Sequence, residues 1–179
     1  AIQYAEDRNI KLNVTKEKIY SRDQNLLHIS HEGGHIENPK NQAKLDELLM
    51  MTKTLKNAKD DPEMIEIEFF KGVPIKLNGK EMSGKQILGE LNRIGGEHGV
   101  GVVDLLENRM VGMKSRGIYE TPGGTILWYA HAELERLVLE KEVQHYKEII
   151  SKKYAELIYN GMWYSGLKTA FDAFVKETQ

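Results

Sequence analysis

Alternation of hydrophobic and polar positions predicts several short strands. Residues 65–69 alternate apolar and acidic side chains, and residues 73–77 alternate up to the turn Asn78-Gly79. A period of two together with an Asn-Gly turn predicts a β-hairpin with one buried and one acidic face. Two further strands are predicted in VVDLLENRM and GIYE, which flank the segment GMKSR at residues 112–116.

Helical spacing of apolar residues predicts three helices in the rest of the chain. Ser83 suits the N-cap of a helix that Gly95-Gly96 would end. A long helical region is predicted from about residue 125 to 160 and a last helix from about 166 to 177, from their apolar stripes. Strands and helices thus occur in blocks, which predicts an α+β fold with a mixed or antiparallel sheet packed by long helices.

The beginning of the chain and one internal segment have different patterns. Residues 2–8 are typical of the end of an amphipathic helix stopped at Asn9, and residues 10–14 alternate like a short strand. We interpret this helix and strand as the end of a preceding α/β domain in a longer protein. Residues 44–59 have helical propensity, but two threonines within them and Pro62 beyond them oppose a helix.

Composition narrows the possible partners. A chain of 179 residues that is 40% hydrophobic can bury one sizeable core. Its net charge of −2 and the absence of any Lys/Arg run longer than two residues argue against a nucleic-acid partner. With no cysteine it has neither disulfides nor thiolate zinc sites, and no apolar run reaches the roughly 20 residues that span a bilayer. We therefore expect a cytoplasmic protein without a membrane partner.

The segment HEGGH, residues 31–35, matches the H-E-x-x-H pattern of zinc hydrolases. That chemistry requires a helix, on which histidines four apart share one face. Each of the two interior glycines costs a helix roughly 1 kcal/mol, and the preceding residues 26–30 have a strand pattern. We therefore assign no metal ligand here and predict a corner between a strand and a turn.

A second polar segment, LLENRMVGMKSRGIYETPGG, mixes both charge signs beside predicted buried strands. Its chemistry leaves two alternatives, a solvated hairpin end or a polar site for a zwitterionic small molecule. Neither GGEHGVG nor GMKSRG matches the phosphate-loop pattern G-x-x-x-x-G-K-[ST]. The residues that carry the polarity are Glu107, Arg109, Lys114, Arg116, Tyr119 and Glu120.

Three segments closely resemble argininosuccinate synthase, in order over almost the whole chain: YSRDQNLLHISHEGGHIENP, ENRMVGMKSRGIYETPGGTIL and KKYAELIYNGMWYS. This family joins citrulline to aspartate through a citrullyl-adenylate and splits ATP to AMP and pyrophosphate. The resemblance implies that residues 1–19 end a nucleotide-binding domain of the ATP pyrophosphatase type. Residues 20–179 would then form the synthetase domain, which binds citrulline and aspartate and oligomerises.

The resemblance also implies a citrulline site. Ser21 and Ser30 resemble the family's paired serines, and Glu107 and Tyr119 match its other citrulline contacts in spacing and context. A carboxylate accepts charge-assisted hydrogen bonds from an α-ammonium, and hydroxyls donate to carboxylate or ureido oxygens. These groups would orient the substrate, and none is assigned as a catalytic acid or base. The structural alternatives are turn and strand hydroxyls, a strand aromatic, and an ion pair of Glu107 with Arg109 or Arg116.

Two departures from the family pattern explain the apparent zinc motif. His31 stands where the family usually has tyrosine, and His35 where it usually has an aliphatic residue. The family's phosphate loop, Ser-Gly-Gly-x-Asp, does not occur, and SGLKTA at residues 165–170 does not replace it. ATP with magnesium and most of the aspartate contacts are thus expected upstream, in a homotetrameric enzyme, and the chain is expected to be inactive alone. The alternative is a non-catalytic amino-acid-binding or oligomerisation module of the same fold.

Overall fold

The computed structural model describes residues 2–11 and 20–179, which form fourteen helical and strand elements. In chain order these are α1 (Ile2–Glu6), β1 (Ser21–Gln24), β2 (Ile29–Glu32), a 3-10 turn (Gly34–Glu37), α2 (Leu45–Leu48), β3 (Ile67–Phe70), β4 (Val73–Leu77), β5 (Lys80–Glu81), α3 (Gly84–Glu97), β6 (Val102–Asn108), β7 (Lys114–Glu120), α4 (Pro122–Val138), α5 (Lys141–Tyr159) and α6 (Gly166–Glu177).

These elements divide into two compact units, Ala1–Met64 with Lys85–Ile126 and Ile65–Gly84 with Leu127–Gln179. The predicted α+β class is confirmed, and every strand pair among the described residues is antiparallel. The predicted boundary after residue 19 and the nucleotide-binding domain before it stay predictions. No helix in the described part of the chain combines the length and the apolar character needed to cross a membrane.

The first unit is built on a four-stranded sheet in the order β1-β2-β7-β6. Ile118 of β7 is fully buried against Ile36 of the 3-10 turn and Leu48 of α2. Side chains alternate between the two faces of a strand, so the even-numbered positions of β7 point into this core. The odd-numbered positions, Ser115, Gly117 and Tyr119, lie on the other face.

Helix α3 corrects the prediction that Gly95-Gly96 ends it. The helix runs through both glycines to Glu97, and the chain leaves it at Gly99, which has a φ of 71°. The glycines instead permit close packing. A Cβ at residue 95 would lie 2.9 Å from a methyl group of Ile126, and one at residue 96 would lie 2.2 Å from the carbonyl oxygen of Met51.

The second unit contains the predicted hairpin and the C-terminal helices. Strands β3, β4 and β5 form a three-stranded sheet whose turns, at Lys71-Gly72 and Asn78-Gly79, have positive φ throughout. Such turns match the twist of antiparallel strands. Helix α6 packs on α5, and the hydroxyl of Tyr154 donates a hydrogen bond of 2.6 Å to Asp172.

Three other predictions need correction or restriction. The helical region predicted from 125 to 160 is two helices, because Glu140 has an extended backbone and is the N-cap of α5, which begins at Lys141. Helix α4 begins earlier than predicted, at Pro122, since proline suits the first turn of a helix. Residues 44–59 contain only the four-residue helix α2. The strand predicted at residues 10–14 lies mostly outside the described residues.

Candidate functional site

The four residues predicted to bind citrulline lie on one face of the first unit's sheet. Ser30 pairs with Tyr119 across β2 and β7, and Ser21 pairs with Glu32 across β1 and β2. Glu107 pairs with Ser115 across β6 and β7. Cross-strand partners share a face, so we name this side the open face. It carries Ser21, Asp23, Ser30, Glu32, Val103, Leu105, Glu107, Ser115, Gly117 and Tyr119.

The Tyr119 side chain lies along its own strand and reaches Glu107. Its hydroxyl donates a hydrogen bond of 2.8 Å to Oε2 of Glu107. The ring crosses Gly117, where an added Cβ would come within 2.7 Å of it. The His28 ring packs against it with centroids 5.5 Å apart. The position of the hydroxyl therefore depends on residue 117 being glycine, which leaves room for the ring.

The protonation of Tyr119 follows from these surroundings. Partial burial raises the pKa of the phenol, and the hydrogen bond to the Glu107 carboxylate raises it further. The hydroxyl therefore stays protonated at neutral pH and donates its hydrogen bond to Glu107. Its oxygen lone pairs remain able to accept a hydrogen bond from a ligand.

Arg109 connects two carboxylates at the edge of this face. Its Nη2 lies 2.5 Å from Oε2 of Glu32 and 3.2 Å from Oγ of Ser115. Its Nε lies 3.3 Å from Oε1 of Glu107. One guanidinium thus faces two carboxylates, and these three side chains together carry a net charge of −1 when ionised. Such a cluster favours a ligand that brings a single positive charge.

Glu32 is the member of this cluster that sequence reasoning missed. In the sequence it stands out only as the glutamate of the apparent zinc motif. The alternation of strand positions through Ser30 and Glu32 places both on one face. That period was the signal that could have identified it. The Arg116 alternative for pairing with Glu107 is wrong, since Arg116 pairs with Asp104 at 2.8 Å on the opposite face.

The serines differ in their accessibility. Ser30 is 5% exposed in the central strand β2, whereas Ser21 is exposed in the edge strand β1. Their hydroxyls can donate to an anionic or carbonyl oxygen, while Glu32 and Glu107 can accept from an ammonium group. The open face therefore offers complementary groups for a zwitterion. Nothing in this arrangement pairs a nucleophile with a base.

The histidines of HEGGH have separate partners. The strand β2 ends at Glu32, and Gly33 and Gly34 have φ values of 79° and 59°, which confirms the predicted corner. His31 is buried on the packed face, whereas His35 contacts the Tyr20 hydroxyl and the carbonyl of Gln42. Within residues 2–11 and 20–179, no group of three or more His, Asp or Glu side chains could hold a metal ion.

His31 belongs instead to a buried network centred on Glu120. Arg22 donates from Nε to Nδ1 of His31 at 3.2 Å, so the neutral ring carries its proton on Nε2. That nitrogen donates to Oε1 of Glu120 at 2.7 Å. The backbone amides of residues 50, 51 and 52 also donate to the Glu120 carboxylate, at 2.7–2.8 Å. Burial alone would raise the pKa of Glu120, but these donors outweigh it and hold the pKa below its usual value.

Comparison with known proteins gives consistent matches. The family model described as "Arginosuccinate synthase C-terminal domain" matches residues 20–179. An argininosuccinate synthase from Caldanaerobacter subterraneus subsp. tengcongensis is 57% identical over 99% of the chain and 43% of its own length. Those from Clostridium novyi and Clostridium kluyveri are 58% and 54% identical over 100% of the chain and 44% of their own lengths. The chain thus spans less than half the length of these relatives.

Proposed function

Because the chain belongs to the argininosuccinate synthase family, as its C-terminal domain, we propose that it serves the ATP-dependent ligation of citrulline and aspartate to argininosuccinate. The names of the relatives support the reaction, and the polar character of the open face supports the part played by this chain. In this proposal the open face binds citrulline. The reaction would serve arginine biosynthesis.

Two displacements make up the proposed reaction. The ureido oxygen of citrulline attacks the α-phosphorus of ATP, and the bond to pyrophosphate breaks to leave a citrullyl-adenylate. The α-amine of aspartate then attacks the ureido carbon, a new C–N bond forms, AMP leaves with the oxygen, and the attacking nitrogen loses a proton to water. The open face accelerates both steps by orientation, because a held ureido group makes each attack effectively unimolecular.

Each of the four residues has a role in this proposal. The Glu107 carboxylate accepts from the α-ammonium of citrulline, and the Tyr119 oxygen, whose O–H donates to Glu107, accepts a further N–H of the substrate. Ser21 and Ser30 donate their hydroxyl protons to oxygens of the substrate. The protein residues therefore bind and orient, and they transfer no proton to or from the reacting atoms.

The remaining substrates are assigned to residues outside this chain. We place most of the contacts of ATP, magnesium and aspartate there, which is consistent with the lack of a phosphate-loop motif in the sequence. A homotetramer and a cytoplasmic location complete the proposal. The lack of cysteine agrees with a reducing compartment.

The observation that carries this proposal is the hydrogen bond between Tyr119 and Glu107 on a face shared with Ser30. The test is Glu107→Gln in the full-length enzyme. Replacing a charge-assisted bond by a neutral one should cost roughly 1.5–3 kcal/mol and raise the citrulline KM about ten- to a hundredfold. The ATP KM should barely change.

The structural role of Glu107 predicts another pattern. If it only pairs with Arg109, the substitution would lower the melting temperature and impair all substrates together. Asp104→Asn is the matched control, because it removes an arginine partner from the opposite face of the same strand. A large fall in melting temperature with an unchanged citrulline KM would contradict the proposed site.

A further inference from the structure

Glu32 occupies the middle of the proposed citrulline contacts. It lies directly across the ladders from Ser21 on one side and from Gly117, under the Tyr119 ring, on the other. It is two positions from Ser30 on the same strand, and so on the same face. A carboxylate at this point belongs to the site by position, although no role was assigned to it.

Arg109 lies closer to the Glu32 carboxylate than to the Glu107 carboxylate. The contact to Glu32 joins Nη2 and Oε2 at 2.5 Å, whereas the contact to Glu107 joins Nε and Oε1 at 3.3 Å. The hydroxyl of Ser115 accepts from the same Nη2 and supports this orientation. Hydrogen bonds between ionised groups weaken as they lengthen beyond about 3 Å. Of these two carboxylates, Glu32 therefore holds the guanidinium more strongly.

The consequence concerns how freely Glu107 can bind a ligand. A guanidinium can grip one carboxylate through two parallel N–H bonds, and that geometry would occupy both Glu107 oxygens. Tyr119 already donates to one of these oxygens. A guanidinium turned fully toward Glu107 would then compete with an incoming ammonium group for the same carboxylate.

We infer that Glu32 is a positioning residue that retains Arg109 and so keeps Glu107 available for the α-ammonium of the substrate. This inference rests on the proposed function, since it assumes that Glu107 receives that ammonium. It makes Glu32 a determinant of citrulline affinity that acts through Arg109. Glu32 itself does not take part in the reaction.

The test is a double-mutant cycle in the full-length enzyme. Glu32→Gln should raise the citrulline KM about tenfold, because Arg109 turns to Glu107, while kcat and the KM values for ATP and aspartate stay within about twofold. Adding Arg109→Met to Glu32→Gln removes the guanidinium that competes with the substrate ammonium for Glu107. The citrulline KM of the double variant should return to within about threefold of the parent value.

The opposite results would overturn the inference. A double variant with a citrulline KM as high as that of Glu32→Gln would show that Glu32 does not act through Arg109. Arg109→Met alone should lower the citrulline KM, because it removes the cation that competes with the substrate ammonium for Glu107, and this gives a second test should Glu32→Gln not fold. A tenfold rise in that single variant would also overturn the inference, since Arg109 would then be needed for binding.

Two comparisons separate this inference from the proposed function. If Glu107→Gln raises the citrulline KM and Glu32→Gln does not, the inference fails and the proposed site stands. If neither substitution changes the citrulline KM, the proposed site itself is wrong. Asp104→Asn again serves as control, because it removes the carboxylate partner of Arg116 on the opposite face and should leave the citrulline KM unchanged.

Discussion

The two faces of the same four-stranded sheet use similar polar side chains in different ways. On the packed face, the Glu120 carboxylate is fully buried and accepts from His31 and three backbone amides. On the open face, Glu107 is partly exposed and accepts from Tyr119 while Arg109 lies 3.3 Å away. Both carboxylates have protein donors, but only the second lies where a ligand could reach it.

This difference shows how a sheet separates folding from binding. A buried carboxylate must be saturated with donors from the protein, because an unsatisfied charge in the interior costs several kcal/mol. A carboxylate at the surface can keep part of its hydrogen-bonding capacity for a ligand, since water molecules donate to its oxygens until the ligand binds. Substitutions on the packed face should therefore change stability, and those on the open face should change affinity.

The largest effect is expected from Glu120→Gln. An amide has one acceptor oxygen where the carboxylate has two, and its NH2 group would face backbone N–H donors. We expect a loss of about 3 kcal/mol or more in the free energy of unfolding, measured by urea denaturation of the full-length protein. Glu97→Gln, which breaks a partly exposed pair with Lys53, should lower the free energy of unfolding far less, because water screens that pair. Equal losses in the two variants would remove the distinction between buried and exposed carboxylates.

The same residue predicts a pH dependence. The pKa of Glu120 is lower in the folded chain than its usual value of 4.5. Its contribution to stability is therefore complete above pH 4.5 and is lost as the pH falls through the lower folded-state pKa. The difference in free energy of unfolding between the parent and Glu120→Gln should shrink on acidification. A difference that stays constant down to pH about 3 would assign the effect to something other than the ionised carboxylate.

An intermediate effect is expected from Gly117→Ala on the open face. The added Cβ would lie 2.7 Å from the Tyr119 ring, so the ring must move away from Glu107. We expect the citrulline KM to rise about tenfold, with a loss of about 1–2 kcal/mol in stability from crowding. Gly112→Ala is a control for glycine loss nearby, because no atom lies within 4 Å of a Cβ there, although its φ of 84° adds strain. An unchanged citrulline KM in Gly117→Ala would show that the position of Tyr119 is unimportant for binding.

The smallest effect is expected from Tyr119→Phe, which keeps the ring and removes the hydroxyl. The citrulline KM should rise about threefold to tenfold, with little loss of stability, because Glu107 can replace the bond with water.

Since burial and Glu107 raise the pKa of Tyr119, its phenol should stay protonated at pH about 10, where an ordinary tyrosine is half ionised. Spectrophotometric titration to that pH should then be the same for the parent and the variant. An additional ionising group in the parent would contradict the environment described for Tyr119.

The strands and their faces were largely predictable because alternation is a local property. The hairpin of β3 and β4, the strand β6 and the second half of β7 follow from it, whereas residues 114–116 of β7 lie in the segment predicted to connect the two strands. The role of Gly95 and Gly96 was not predictable, since a glycine pair signals a helix end and a close contact equally well. Which strands pair is a long-range property, so the cross-strand placement of Glu32 beside Ser21 and Gly117 could not be derived from spacing. The resemblance to the family predicted the four citrulline contacts, and the register of the paired strands shows that they share one face.

The segment at residues 50–52 is held by its main chain from two directions. Its three amides bind the Glu120 carboxylate, and the carbonyl of Met51 lies where a side chain on Gly96 would otherwise be. Hydrogen bonds to the main chain do not depend on the side chain, so the exposed position 50 should tolerate many substitutions without loss of the fold. Proline is the exception at all three positions, because it removes the donor that the carboxylate needs. The backbone of this segment is thus fixed by Glu120 and Gly96, which lie far from it in the sequence, while the buried Thr52 is limited by its packing as well.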